Sequence, residues 1–358
     1  MTAQRVTQTA LEQCLARYCD AREDIVASIL HAQTLFAQGS YLAARKILRS
    51  SLDRNQGANE QDPRAVSALW HGLARVTLHN GDIDEYRRAA LRSATIIANA
   101  SSVTQRERQM GEMQIGDALA ASGDTDGAIR RYRRVGKMAA DQGDLELEQL
   151  MAVRAINARA GTHGRSAVRS AIEREMSNPN LTPRARTVGL ALIARLQDKK
   201  ASPEITALES VPVQSADAPS LLLWAPKDKL SEQHEAIARA AAVNDFTLLS
   251  ILLPSSSEAK HYHWADIGFW IRPGGRVEAA RMLRGRADQS WAKDVVKLVQ
   301  DRRYAPFQAE PGSQGRYTIE RVTLTYEHMT PRGSLIRRRS GLPSYQFEEL
   351  KADDSEKM

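Results

Sequence analysis

The chain changes its rhythm of apolar and polar positions part-way along. Over the first half, apolar residues recur every three or four positions, the period of helices that bury one face. Glycines interrupt these stretches at a fixed interval: "LFAQGSYLAARKIL", "TLHNGDIDEYRRAAL" and "ALAASGDTDGAIRRY" place Gly39, Gly81 and Gly123 42 residues apart twice in succession. A helix breaker at one phase of a fixed period predicts stacked helical hairpins. In each hairpin the glycine closes the first helix, and Ser40, Asp82 or Asp124 beside it is placed to cap the second. Helices that cross closely need small residues at the crossing. Ala32 with Ala44 and Gly116 with Ala128 meet that demand, and Leu35 with Leu48 and Leu119 with Tyr132 supply the large partners.

These offsets resemble the tetratricopeptide repeat, with a spacing similar to its long-helix variety rather than the usual period of about 34 residues. The third unit, "IGDALAASGDTDGAIRRY", matches best. The second has Tyr86 where Ala is expected and Thr77 where a large apolar residue is expected, so a different packing is predicted there. A fourth unit is expected within "DQGDLELEQLMAVRAINARAGTHGRSAVRSAIERE", although Gly161 and Gly164 are out of phase with position 165. The resemblance covers about residues 20 to 178, and Thr182 to Leu196 reads as a closing helix with Pro183 at its start. It implies a partner-binding groove lined by the first helix of each pair. Carried over by offset from the glycines, the lining residues are Ile29, Gln33 and Phe36, then His71, Arg75 and His79, then Met113 and Asp117. Their mixed chemistry suits recognition better than core.

A helical repeat domain is thus expected over 1–197, followed at 198–219 by a polar linker, "DKKASPEITALESVPVQSADAP" at its heart. Beyond it the pattern turns mixed. "SLLLWAP" reads as a short strand, "SEQHEAIARAAAV" as a helix opened by Ser231, and "FTLLSILLP" as a strand. In "ADIGFWIRPGGRVEAARML", Ile267, Phe269 and Ile271 alternate with Asp266, Gly268, Trp270 and Arg272, the period of a half-buried strand. After Pro273-Gly274-Gly275, Val277, Ala279 and Arg281 alternate with Glu278, Ala280 and Met282, which fits a second strand as well as a helix. A phosphate-cradling loop would lead into a helix, usually with Lys before Ser or Thr; no such pair follows, so the glycines read as a hairpin turn. "SWAKDVVKLVQDRRYAPF" then predicts a helix that ends at Arg303 ahead of Pro306, and Val322, Leu324 and Tyr326 mark a strand. The region 220–350 is expected to be an α+β domain of order ββαβ, with a polar tail at 351–358.

Gly275-Arg276-Val277 after the first strand, and Arg303, Tyr304 and Pro306 after the helix, resemble motifs of the TonB family C-terminal domain over about residues 264 to 328. Arg302 stands where that family usually has Trp, and the chain lacks the family's membrane helix and Pro-rich spacer. The whole therefore reads as a multidomain protein, an all-α tetratricopeptide-like solenoid followed by a small TonB-like domain. The resemblance implies a periplasmic, non-enzymatic adaptor whose partners are proteins, among them an outer-membrane transporter or other envelope protein. In such domains an extended segment adds to an open sheet edge. Here the candidate edge is Tyr317 to Tyr326. Its alternation slips at Glu320 and Arg321, which predicts a bulge, and the following "GSLIRRRSGLPSYQFEEL" is long enough to fold back over that edge.

Composition changes this picture little. The 358 residues, 42% of them apolar, are enough for about two domains with ordinary cores, and a net charge of +7 does not by itself indicate a nucleic-acid protein. No apolar run approaches the roughly 18 residues of a transmembrane helix, and "MTAQRVTQTALEQC" lacks the apolar segment of a signal peptide. A periplasmic location then requires an export signal from elsewhere. Cys14 and Cys19, read as members of one helix, point to different sides and suit neither a disulfide nor a zinc knuckle.

Candidate chemistry is sparse. Ser290 and Lys293 have the S-x-x-K spacing of a nucleophile and its base, the hydrolase alternative, but no S-D-N or K-T-G partner accompanies them. His261 and His263 share a strand face and can supply two metal ligands, the metal-enzyme alternative, where a site needs three or four. Arg130, Arg131, Arg133, Arg134 and Lys137 on one helix are the only support for nucleic-acid binding, and Arg337-Arg338-Arg339 reads as a solvated charge run. No metal, cofactor or nucleic acid is expected as a partner.

Overall fold

The computed structural model describes residues 2–121, 123–160, 164–197, 220–226, 263–286, 289–310, 312–329 and 338–350. The linker, the Ser231 helix, the "FTLLSILLP" strand, His261, Gly161, Arg337 and the tail lie outside these residues. The repeat region consists of α1 (Ala3–Ala16), α2 (Ala21–Ala37), α3 (Tyr41–Arg54), α4 (Pro63–His79), α5 (Ile83–Asn99), α6 (Gln105–Ala121), α7 (Thr125–Ala140), α8 (Leu145–Asn157), α9 (Arg165–Met176) and α10 (Pro183–Gln197). Each helix packs on the next, so α2–α3, α4–α5 and α6–α7 form hairpins stacked in chain order. No helix among the described residues is long and apolar enough to cross a membrane.

The hairpin turns share one chemistry. Gly39, Gly81 and Gly123 have φ of 74°, 77° and 84°. The next residue donates its N–H back into the helix just ended, Ser40 to Leu35, Asp82 to Thr77 and Asp124 to Leu119. Asp82 and Asp124 then accept from the N–H groups of Glu85 (3.0 Å) and Gly127 (2.9 Å), whereas Ser40 makes no side-chain cap. Thr77, out of place by the template, is buried because its hydroxyl donates to the Leu73 carbonyl at 2.8 Å within its own helix. The fourth pair departs from the pattern: Gly164, at φ 77°, precedes α9 instead of closing α8.

The cysteine expectation is overturned. Cys14 and Cys19 form a disulfide with Cα atoms 5.1 Å apart. The helix ends between them: Tyr18 takes φ 55°, and the Cys19 N–H donates to the Cys14 carbonyl at 3.1 Å. This is the same helix-closing turn, with Tyr18 in the glycine position and the disulfide where an apolar contact usually joins its two ends. Serine at both cysteines is expected to cost about 2 kcal/mol. Adding Tyr18→Gly should recover up to about 1 kcal/mol by relieving a side chain held at positive φ. Thermal melting of the two variants checks both, and a further loss from Tyr18→Gly would refute the shared-turn reading.

After the repeats come β1 (Leu222–Trp224), β2 (His263–Ile271), β3 (Val277–Arg286), α11 (Gln289–Gln300), β4 (Arg303–Tyr304), β5 (Arg316–Met329) and β6 (Arg338–Leu350). An antiparallel sheet has the order β3-β2-β5-β6, and β1 pairs with β4 beside it. Ala265, Ile267, Phe269 and Ile271 bury one face of β2 with Val295 and Val299 of α11 and Val322 of β5. The second apolar run is thus a strand, but its alternation breaks at Ala279, which has φ 53° beside a register shift. Val277, Ala280 and Met282 are therefore the residues that reach the α11 side. Gln300 bonds the Ala280 N–H and the Val277 carbonyl at this irregularity.

The expected bulge at Glu320 and Arg321 is absent. Arg316 to Leu324 pair with β2 without a register shift, and β6 covers the other side of β5. The slip in pattern has another cause: both faces of β5 are buried. Val322 faces α11, and Ile319 joins Leu350 of β6 against the core of the first two repeats.

Candidate functional site

The sheet face away from α11 carries Trp264 and Asp266 of β2, Arg321 and Thr323 of β5, and Glu348 of β6, which are neighbours by register. These five side chains meet the repeats. Arg321 is fully buried, and its guanidinium makes five hydrogen bonds. Two are to Asp266. Two more reach the carbonyls of Phe36 (2.7 Å) and Ala37 (2.8 Å), and one the Tyr41 hydroxyl (3.3 Å). The Phe36 carbonyl also accepts from the Gly39 N–H at 2.8 Å, whereas the Ala37 carbonyl at the end of α2 has no partner within its helix; the cation satisfies it and complements the negative end of the helix dipole. Trp264 lies 4.0 Å beneath the guanidinium and fills the space over Gly39, where any Cβ would overlap the indole. A Cβ at Gly81 would overlap the carbonyl of Tyr326. Gly39 and Gly81 thus serve twice, by permitting positive φ and by admitting the sheet.

Burial opposes the charge of Arg321, but its bonds to Asp266 hold its pKa above the ordinary value. A second set surrounds His79, which is fully buried. Its Nδ1 lies 2.8 Å from the Thr323 hydroxyl, which also bonds the Tyr41 hydroxyl at 3.0 Å. Its Nε2 lies 2.8 Å from Glu348, and Glu348 pairs in turn with Arg75. Burial pushes the pKa of His79 down, with the Glu348 carboxylate acting against this. The Phe36 ring stands edge-on to His79 at 5.0 Å and under Arg75 at 4.7 Å.

The positions expected to line an open groove therefore divide. Phe36, Arg75 and His79 are closed off by the chain's own sheet, a correction to the open face assumed for them. Ile29 packs at the margin of the repeat core, while Gln33 and His71 are exposed. Met113 packs with the α7–α8 cluster, and Asp117 accepts from the Tyr132 hydroxyl at 2.7 Å and pairs with Arg154. Sequence reading missed Asp266, Arg321, Thr323 and Glu348. The slip at Arg321 was their one local signal.

The two motif pieces of the sheet region come together. Gly275, at φ 78°, accepts at its carbonyl from the Tyr304 N–H at 2.8 Å, and Arg276 bridges to Arg303. The Phe307 N–H bonds the Pro273 carbonyl at 3.0 Å, and Pro306 is buried. Arg302 is buried beside Glu320 with its guanidinium 4.6 Å from the Phe347 ring. It thus packs as a flat group against an aromatic face. Ser290 and Lys293 are both exposed on α11. His263 is half-buried against Trp291, with ring centroids 5.7 Å apart. Among the described residues, the one metal-ligand grouping is Cys14, Cys19 and Glu23, whose two sulfurs are already joined.

Fold and site together define the class: a solenoid of stacked helical hairpins with a small sheet region docked on its first two repeats. No protein-family model matches the chain, and no curated protein matches it. Among solved structures it is similar to one from Podosopora anserina described as nearly identical TPR-like repeats of a kinesin light chain. The identity is 14% and the TM-score 0.38, over 49% of this chain and 86% of that one.

Proposed function

We propose that the protein is a non-enzymatic protein–protein adaptor of the cell envelope, with the repeats holding one partner and the TonB-like region recognising another. The observation that carries this reading is the grip of the repeats on extended strands. Phe36 closes on β5 through Arg321, and Arg75 and His79 close on β5 and β6 through Thr323 and Glu348. A side of the solenoid that holds a strand of its own chain has the chemistry to hold one from a partner, and Gln33 and His71 remain exposed beside the filled part. The contact between Gly275-Arg276-Val277 and Arg303-Tyr304 supports a TonB-like recognition unit. The periplasmic location rests on that resemblance and on the Cys14–Cys19 disulfide, since such bonds persist in oxidising compartments. The proposed partner of the sheet is an outer-membrane transporter or another envelope protein.

Because β6 pairs along β5, an added strand has, among the described residues, only the outer edges of β3 and β6. The full chain is therefore expected to bind TonB-box peptides weakly. A photo-crosslinking residue at Gln33 or His71 should instead trap an envelope protein in living cells, identified by mass spectrometry. Crosslinks to nucleic acid alone, or none from either position, would reject the adaptor reading.

A further inference from the structure

The second helix of each of the first three repeats turns one face away from the stack, and on these faces several cations have no ion-pair partner among the described residues. On α5 the buried residues include Glu85, Ala89 and Ser93, and Arg88 and Arg92, one turn apart, are exposed. On α7 the buried set includes Ala128, Tyr132, Val135 and Ala139, which leaves Arg130, Arg133 and Lys137 outward along one stripe. Lys46 of α3, Arg88 and Arg130 each stand seven residues beyond the turn glycine of their repeat. The repeat period therefore sets these three at one phase of successive hairpins.

Neighbouring cations are already spent. Arg45 and Arg49 pair with the buried Glu85, and Arg131 and Arg134 with the buried Glu112. Lys46, Arg88, Arg92, Arg130, Arg133 and Lys137 have no ion-pair partner among the described residues. The exposed acids of α5 and α7, Asp84 and Asp126, stay in the first turn, where the helix dipole favours them. A row of uncompensated positive charge follows the stack.

We propose that this row is a docking surface for an acidic polypeptide, an extended Asp/Glu-rich segment of a partner protein. Charge complementarity sets the sign, and three features set the class. Tyr86 packs against the repeat core and Tyr132 is buried, so no aromatic side chain of α5 or α7 is offered for stacking nucleic-acid bases. No large apolar side chain is exposed on α5 or α7, and on α3 only Leu42 is, one turn before Lys46, so the row has no apolar face to anchor a lipid surface. A solenoid presents a curved outer side, which a flexible chain follows and a rigid duplex does not.

The test uses the full chain and a fluorescent Asp/Glu-rich peptide at about 0.15 M salt, where long-range attraction is screened. Saturable binding is expected by anisotropy. Arg88→Glu, Arg92→Glu, Arg130→Glu and Arg133→Glu together should weaken it at least about tenfold with an unchanged thermal midpoint. The four Gln substitutions, read in the same way, should give a smaller loss and guard against misfolding of the reversed variant. The proposal is overturned if the unaltered chain does not bind the peptide or if neither set weakens binding. Tighter binding of duplex DNA, single-stranded RNA or phosphatidylserine vesicles than of the peptide overturns it as well.

Discussion

Replacing Arg321 by methionine is expected to destabilise the protein by about 3–5 kcal/mol, because it leaves a buried carboxylate without its partner. Asp266 would keep only Arg284, which reaches it from the rim at 2.7 Å with a side chain 36% exposed. The Ala37 carbonyl would lose its donor, and the Phe36 carbonyl would keep only the Gly39 N–H, in a site that the Trp264 indole closes. Arg321→Lys should recover little, since one ammonium cannot serve carboxylate and carbonyls at once as the planar fork does. Asp266→Asn combined with Arg321→Met should cost less than the sum of the single changes, as expected when each single change strands the other charge. Denaturant unfolding of the unaltered protein, the two single variants and the double variant gives this cycle directly. Strict additivity would show that the two side chains do not act as a pair.

The second large effect concerns pH. Burial holds His79 below its ordinary pKa of 6.5, so the folded chain keeps it neutral while the unfolded chain takes up a proton as pH falls through that value. The unfolded state then binds more protons, and stability contributed by His79 is present above about pH 6.5 and lost below it. The slope approaches about 1.4 kcal/mol per pH unit for one proton. Charged groups around the ring come from three elements: Arg75 of α4, Arg321 of β5 and Glu348 of β6. The two arginines disfavour a second positive charge, and Glu348 favours it. His79→Gln should lower stability at pH 7.5 yet flatten the loss between about pH 6.5 and 5, as measured by unfolding free energies at each pH. An equal slope in both proteins would remove His79 from the account.

Much of the architecture was legible because it is local. Gly39, Gly81 and Gly123 mark turns that a chain makes when a residue at positive φ follows a helix, and after Gly81 and Gly123 an Asp caps the next helix. The Pro273–Gly275 turn and the strand after it follow from the same kind of preference. Errors fell where a neighbour distant in sequence, or an uncommon backbone, decided. In the sequence Cys14 and Cys19 read as members of one helix because Tyr18 carries no sign in its chemistry that it will adopt a glycine's conformation. The Arg321 slip reads as a bulge in the sequence because a strand with one buried face should alternate, and nothing nearby in the chain says that the second face is buried too.

The sequence by itself determined the period of the helices, their turns, the strands and the residues with one strongly apolar side, since these depend on backbone preferences and on spacing within a few residues. Only the tertiary structure decided what the remaining faces meet. Phe36, Arg75 and His79 have the chemistry of a recognition surface in either setting. That they hold β5 and β6 follows from contacts made across more than half the chain, as between Phe36 and Arg321. Such contacts are selected by the burial and pairing of groups that no local pattern connects: a helix end needing donors, a guanidinium needing five acceptors, and glycines that leave room for a sheet.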